Sequence, residues 1–486
     1  MNITDGLSRQ AALQPWAVAV LLDSRIVHYI TLERMVWQAA SWLRRQGVER
    51  GQVVGLTLAN PLTHLVVALA LARFGALQVT LAPAEPATAR RRMAALAGVS
   101  LVVADAEDAG EAGLPVLRPE AGWLAGDGPV AHGLRHEGGA EPWIICQSSG
   151  TTGEPKLFRM SHEEASARNR RRELAVLVPG PNEVFFSPVT LDFPSWKLFV
   201  VGCLGQGGCL VLDRQANAGE AARLLDARRV SHLFAPPPWI AALLRSYPGQ
   251  GPRFPALRVL GLTAGASDEP LRKAILERLS KNLFVAYGTN DAGGISIAGP
   301  AVVAEHPGTI GTVVEGLRWQ VVDEEDRPVP PGVTGRLRVA GPGVVQDYLD
   351  AGLTALHVKD GWFYPGDAVS ADPEGRLRFH GRVDDMMILD GINIYPAEIE
   401  EVLLAHPAVA EAAAFPLRVF SGRDVPMAAV VLRHAAEEAG LLAWARERLG
   451  VRVPQRIFVL DALPKSSVGK VLRRELAARL RRNADA

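Results

Sequence analysis

Cysteine is scarce: the 486-residue chain has three, Cys146, Cys203 and Cys209. They are too few and too scattered for a disulfide framework or a thiolate metal site. Beside apolar or Gly-rich segments they read as small buried hydrophobes. An excess of one charge is also missing, since Lys+Arg and Asp+Glu both number 52. No long-range field therefore favours nucleic acid or an anionic membrane surface, and neither is expected as a partner. Long apolar runs are absent too. The longest, near residues 65–72, stops at Arg73, far short of the roughly 20 residues a bilayer span needs. The N-terminus places Asp5 early and carries no basic-then-apolar leader pattern. These absences argue against a disulfide scaffold, a membrane-spanning helix and a basic nucleic-acid binder, and leave the cytoplasm as the expected location.

What is present is an alternation. Residues 33–47 read as an amphipathic helix, 53–58 as a short strand, 62–74 as a helix and 77–81 as a buried strand. Apolar runs near 101–104, 143–146, 184–187, 209–212, 232–235 and 259–262 read as further interior strands. Their spacing leaves room for the helical crossovers that parallel pairing requires. After about residue 305 glycines punctuate short alternating segments such as 336–339, and Pro328, Pro330 and Pro331 mark a turn. That texture predicts a smaller antiparallel or barrel-like region. From Arg382 a third pattern begins: helix 396–405, strands 409–415 and 427–432, helix 437–449 and a basic terminal helix. The length also predicts about three units.

The stretch Gln147-Ser148-Ser149-Gly150-Thr151-Thr152-Gly153-Glu154-Pro155-Lys156 carries the most chemistry. It follows an apolar strand and packs hydroxyls, glycines and one lysine into ten residues. Glycines let backbone N–H groups close on a phosphate, hydroxyls add rotatable donors and Lys156 adds charge. It does not fit G-x-x-x-x-G-K-[ST] and is not a Walker A loop. Ser161 and Glu164 have capping-box spacing, so a helix is expected to start there.

This loop resembles the phosphate loop of the adenylate-forming superfamily: acyl-CoA synthetases, adenylation domains of nonribosomal peptide synthetases and firefly-type luciferases. The resemblance runs from about residue 10 to about 480 through ordered motifs. It implies that Ser148, Ser149, Gly150, Thr151, Thr152, Gly153 and Lys156 bind ATP phosphates, with Thr151 near the metal. Ala286-Tyr287-Gly288-Thr289-Asn290-Asp291 resembles the family's Tyr-Gly-x-Thr-Glu. Asn290 stands for the Thr that contacts the α-phosphate and Asp291 for the Glu that holds Mg²⁺. Asp is one methylene shorter and is expected to reach a metal through water. Tyr287 would lie by adenine, as would Gly288, and Ala264-Gly265-Ala266 would line adenine and the substrate carboxylate. Asp367, in Tyr364-Pro365-Gly366-Asp367, matches the acid that binds ribose hydroxyls. Arg382 would contact ribose or phosphate. Asp384 matches the hinge of a swinging C-terminal domain, Gly391 the loop at the pantetheine arm, and Lys470 the catalytic lysine of adenylation. Asp385, Lys465, Arg473 and Arg474 read as solvated.

The resemblance implies an α/β fold class: a large N-terminal domain of stacked α/β sheets, residues 1–383, with a small β-barrel-like subdomain at about 305–380. A small mobile α+β C-terminal domain, residues 384–486, follows. A carboxylic acid would attack the α-phosphate of ATP, pyrophosphate would leave with Mg²⁺, and a thiol would then take the acyl group. The acyl pocket would draw on 190–196, 234–239, 264–266 and 287–295, including Asp192, Phe193, Trp196, Ala264 and Gly288. Asp192 has two readings: counter-ion for an amino-acid ammonium, or N-cap of the following apolar helix. The cap is preferred because the family's Ser is missing. Asn393-Ile394-Tyr395-Pro396 resembles the CoA-ligase branch, which favours CoA as acceptor. The alternative is a stand-alone adenylation enzyme that loads a carrier-protein phosphopantetheine. A luciferase-like oxygenase and a non-catalytic nucleotide-binding relative are the remaining readings.

Overall fold

Two parallel-stranded sheets share one apolar core, and the buried helices between them bring the sequence motifs together. The computed structural model describes residues 1–105, 113–120, 122–124, 136–149, 155–175, 177–213, 218–247, 249, 251–265, 267–389, 392–418, 424–465 and 471–484.

The first sheet runs in the order Val116–Leu117, Leu101–Ala104, Val53–Thr57, Leu77–Thr80, Pro142–Ser149, Pro155–Ser161. Its first five strands are parallel and the last is antiparallel to its neighbour. Leu77–Thr80 and Leu101–Ala104 are buried at every residue. Continuous apolar runs, unlike alternating ones, suit strands covered on both faces.

The second sheet has a parallel centre: Leu283–Thr289, Val259–Leu262, His232–Ala235, Val184–Phe186 and Cys209–Val211, in spatial order. Beyond Leu283–Thr289 the pairing turns antiparallel through Gly293–Ala298, Thr309–Val313, Arg376–Arg382, Asp367–Ala371 and Gly335–Ala340. The Gly-punctuated region is thus antiparallel, as its texture predicts, and its ladder is continuous with the parallel strands. Helices Pro61–Phe74 and Pro194–Gln206 are apolar around most of their circumference, the pattern of helices without a solvent face. Both contribute to a single core cluster that takes residues from both sheets.

Strands 101–104, 232–235 and 259–262 fall where the apolar runs predict them. The strand expected at 143–146 runs further, as Pro142–Ser149, because Pro155–Ser161 pairs with it, Ser148 opposite Lys156. The two ends of the polar stretch, residues 148–149 and 155–156, therefore pair with each other. Helix His162–Leu174 starts at the predicted capping box, with the Ser161 hydroxyl accepting from the Glu164 N–H and the Glu164 carboxylate accepting from the Ser161 N–H.

After Asp385 come a hairpin (Met387–Leu389 with Ile392–Ile394), helix Pro396–Leu404, and a sheet of Val409–Arg418, Asp424–Leu432 and Ile457–Val459. Helices Glu438–Leu449 and Arg473–Ala484 pack on it around two apolar clusters of their own. One of the solvated-face assignments is corrected here. Arg473 donates to both Glu400 oxygens, at 2.7 and 2.9 Å, and to the Ala414 carbonyl. Its charge pins the terminal helix. Lys465 is exposed, as expected, and pairs with Glu411 at 2.7 Å. Asp385, expected in a solvated turn, lies 3.7 Å from Arg473.

Candidate active site

The turn at 290–292 joins Leu283–Thr289 to Gly293–Ala298 and faces the hairpin strand Pro142–Ser149. The Ser148 hydroxyl donates to Asp291 Oδ1 at 2.9 Å, and the Tyr348 hydroxyl donates to the same oxygen. Asn290 Nδ2 donates to the Gln147 carbonyl at 2.8 Å, tying the turn to the base of the phosphate-loop candidate. Asp291 is buried. Burial first, then the Asp291 carboxylate, pushes the Tyr348 phenol far up, so it stays a donor. Chain separations of 143 residues for Ser148 and 57 for Tyr348 are closed at a single oxygen.

A second cluster forms across the sheet. The Tyr287 hydroxyl donates to Asp367 Oδ2, and Arg382 Nη1 donates to Asp367 Oδ1 at 2.9 Å. Arg382 also donates to the Pro365 carbonyl and lies 3.5 Å from Asp384. Burial opposes the Arg382 charge, but Asp367, bonded to it, and Asp384 hold its pKa above the ordinary value. These two bonds engage both oxygens of the Asp367 carboxylate.

Lys156 is buried, and its Nζ lies 2.8 Å from His357 Nε2. Burial lowers the lysine pKa, with Arg382 adding to the effect, and burial plus the neighbouring lysine lowers that of His357. A neutral imidazole accepting from an ammonium fits both shifts.

On the acyl side the helix-cap reading of Asp192 is overturned. The N-cap of Pro194–Gln206 is Phe193, with no side-chain cap bond, and Pro194 opens the helix without an N–H. The Asp192 carboxylate instead accepts from the Thr190 hydroxyl at 2.8 Å through Oδ2. Its Oδ1 is buried with no hydrogen-bond partner, 3.9 Å from His64 Nδ1. Burial and then the charge of Lys197 hold His64 neutral, so this contact is no ion pair at neutral pH. Lys197 lies 3% exposed in the first turn of the apolar helix. It donates to Gln78 Oε1 at 3.1 Å and Thr80 Oγ1 at 2.7 Å, both on the first sheet. Burial brings its pKa down to about 7, against the opposing pull of Asp192. Trp196 belongs to a buried aromatic group with Phe185, Phe199 and Phe234, ring centroids 4.7–6.4 Å apart. Phe193 is half-buried, and Ala264 and Gly265 are exposed, Ala264 in the left-handed region at φ 64°.

Of the sequence-predicted residues, the fold brings Ser148, Asn290 and Asp291 together, and likewise Tyr287, Asp367, Arg382 and Asp384. Gly150, Thr151, Thr152, Gly153, Ala266, Gly391 and Lys470 lie outside the described residues, as does the side chain of Ser149. Sequence reasoning missed Tyr348, His357, Arg168, Arg171, His64 and Lys197. For Lys197 a signal existed: a lone lysine within an otherwise apolar helix. The described residues contain no group of three or more His, Cys, Asp or Glu side chains able to hold a metal. A lone buried carboxylate beside hydroxyls fits instead a cation shared with substrate phosphates, as Mg²⁺ is commonly held. No helix of the described residues is long and apolar enough to cross a membrane.

The chain is 28% identical to a 4-coumarate–CoA ligase-like protein of Oryza sativa subsp. japonica, over 92% of this chain and 83% of that one. It is equally 28% identical to a feruloyl-CoA synthase of an Amycolatopsis species, over 97% of each. The solved structure of Bacillus subtilis o-succinylbenzoate CoA synthetase, with its acyl-adenylate intermediate, superposes with a TM-score of 0.87 at 23% identity, covering 97% of each chain. The AMP-binding enzyme model matches residues 7–349, the model of that family's C-terminal domain matches 398–470, and the chain belongs to the AMP-binding enzyme family.

Proposed function

We propose that this enzyme activates a carboxylic acid with ATP, releasing pyrophosphate, and passes the acyl group from the adenylate to the thiol of CoA. The observation that carries the reading is the closure of four separate motifs onto one another. Ser148 meets Asp291 and Asn290 meets Gln147, while Tyr287 and Arg382 both meet Asp367. The relatives' names, a coumarate-type ligase and a feruloyl-CoA synthase, support CoA as acceptor.

In this reading residues 148–153 and Lys156 bind the phosphates, Asp367 holds the ribose and Tyr287 flanks the base. Mg²⁺, when bound, neutralises charge on the departing pyrophosphate, and Asp291 with Thr151 would hold it. Lys470 bridges the substrate carboxylate and the α-phosphate as negative charge builds. The C-terminal region, residues 384–486, then turns about Asp384 and brings the Gly391 loop to the pantetheine arm. The acids to be tested include amino acids, because Asp192 Oδ2 accepts from Thr190 while its buried Oδ1 has no hydrogen-bond partner.

The test is pyrophosphate release with Mg-ATP over a panel of aryl, short-chain and amino acids, then acyl transfer to CoA or to a holo carrier protein. No release with any acid sinks the reading; transfer to the carrier alone replaces CoA. Lys470→Ala should lower adenylate formation by roughly 10²–10³ yet leave thioester formation from supplied acyl-adenylate largely intact. Equal loss of both steps would count against the turning domain.

A further inference from the structure

Helix His162–Leu174 brings Arg168 and Arg171 to one face, three residues apart. Both are buried. Arg168 Nε donates to the Gly343 carbonyl at 2.6 Å, Nη1 to Asn290 at 2.7 Å, and Nη2 to Asp291. Arg171 Nη2 donates to Ala292 at 2.8 Å, and Nη1 to Pro342. Three consecutive carbonyls of the 290–292 turn and two of the 342–343 segment are thus held by two guanidinium groups. The segments also touch directly, since the Val345 N–H donates to the Asp291 carbonyl at 3.0 Å.

Two buried cations side by side are costly unless something compensates them. Among the described residues neither arginine forms an ion pair with a carboxylate; backbone dipoles, and for Arg168 the charges of the nearby Asp291 and Glu164, supply the compensation. The backbone approaches closely to make this work. A Cβ at Gly343 would fall 3.1 Å from Arg168 Cγ and 2.7 Å from the Glu164 carbonyl, and one at Gly293 would fall 3.1 Å from Arg168 Cδ. An apolar side chain would fill the same space but fix no carbonyl. What the arginines add is the orientation of one turn, the one that carries Asn290 and Asp291.

We propose that Arg168 and Arg171 are positioning residues for Asp291: by clamping the backbone of its turn they hold the carboxylate in the orientation in which Ser148 and Tyr348 grip one oxygen and the metal–nucleotide complex meets the group. This rests on the adenylation reading above. The clamp acts on the metal-dependent part of nucleotide binding. Tyr287 and Asp367, which serve the nucleoside part, bond instead to each other, and Asp367 also to Arg382.

Arg168→Lys and Arg171→Lys test it, since lysine keeps the charge and loses the planar fork. Calorimetry gives the affinity of each for Mg²⁺ with a non-hydrolysable ATP analogue and for metal-free AMP, beside its melting temperature. The expected result in Arg168→Lys is a loss of about tenfold or more for the Mg²⁺ complex, with AMP held within about twofold. Arg171→Lys should show the same pattern, weaker. Equal weakening of both ligands, or no weakening, would overturn the clamp, and unfolding of both variants would assign the pair to folding alone. Wild-type enzyme that binds AMP and the Mg²⁺ complex but releases no pyrophosphate would sink the adenylation reading and leave the clamp standing as a feature of nucleotide binding.

Discussion

Around Asp291 the buried polar groups are paired. Ser148 and Tyr348 share its carboxylate oxygen, Asn290 reaches Gln147, and the arginines reach five carbonyls, with only Arg171 Nε lacking a partner. Around Lys197 they are not. His64 Nε2, Asp192 Oδ1 and Trp143 Nε1 are buried without a hydrogen bond, and the small apolar cavity beside them is lined by Leu65, Leu69, Trp143, Leu191 and Lys197. In the first cluster the groups are held by hydrogen bonds to fixed partners and need little reorganisation when charge moves, the arrangement that stabilises a transition state most. In the second, desolvation prevails, and it shows as a depressed lysine rather than as a fixed geometry. Substitutions in the first should therefore be read in chemistry, and those in the second in pH dependence and stability.

The largest expected effect tests the paired side. Asp291→Asn keeps hydrogen-bond acceptance for Ser148 and Tyr348 but removes the charge. The rate of pyrophosphate release should fall about a hundredfold or more, and a loss under tenfold would erase the distinction drawn above. Next is Tyr348→Phe, which deletes one donor to Asp291 and should weaken Mg²⁺ activation by roughly tenfold, measured as the Mg²⁺ concentration giving half-maximal rate. An unchanged value would mean that Ser148 alone orients the carboxylate.

Lys197→Met tests the other side. Lys197 has a folded pKa of about 7 against roughly 10.4 when unfolded. Between those values the unfolded chain binds a proton that the native one does not. Wild-type stability therefore rises with pH through this window relative to the variant, by at most about 1.4 kcal/mol per unit. Below pH 7 the native state carries the full burden of the buried charge. Urea unfolding of both proteins at pH 7 and pH 9 measures the difference, and parallel curves would show Lys197 to be charged throughout. The smallest effect belongs to Asp192→Asn: a change in KM for the best non-amino acid within about threefold, the range expected where no defined interaction is lost. A loss of a hundredfold with an amino acid substrate would reinstate Asp192 as an ammonium counter-ion.

Local patterning settled a good deal of this molecule. Continuous apolar runs located strands such as Leu101–Ala104 and His232–Ala235, because a strand buried on both faces has no polar alternation. The Ser161–Glu164 spacing located a helix start, since a capping box needs only four adjacent residues. Ordered short motifs indicated a nucleotide-binding, acid-activating enzyme. Asp192 shows the limit of such reading: next to an apolar helix it has the right residue type for a cap, but the chain reaches the helix one residue later, at Phe193.

What the sequence by itself determined was many of the interior strands, several of the helices, the order of the chemical motifs and the family of the enzyme, since each is written within a few neighbouring residues. Only the tertiary structure decided that Arg168 and Arg171 grip the 290–292 turn, that Tyr348 joins Ser148 on one oxygen, and that Lys197 spans from the helix to Gln78 and Thr80. Those contacts join residues 57 to 143 positions apart. The meaning of each charge was set by burial and by partners that no local pattern encodes.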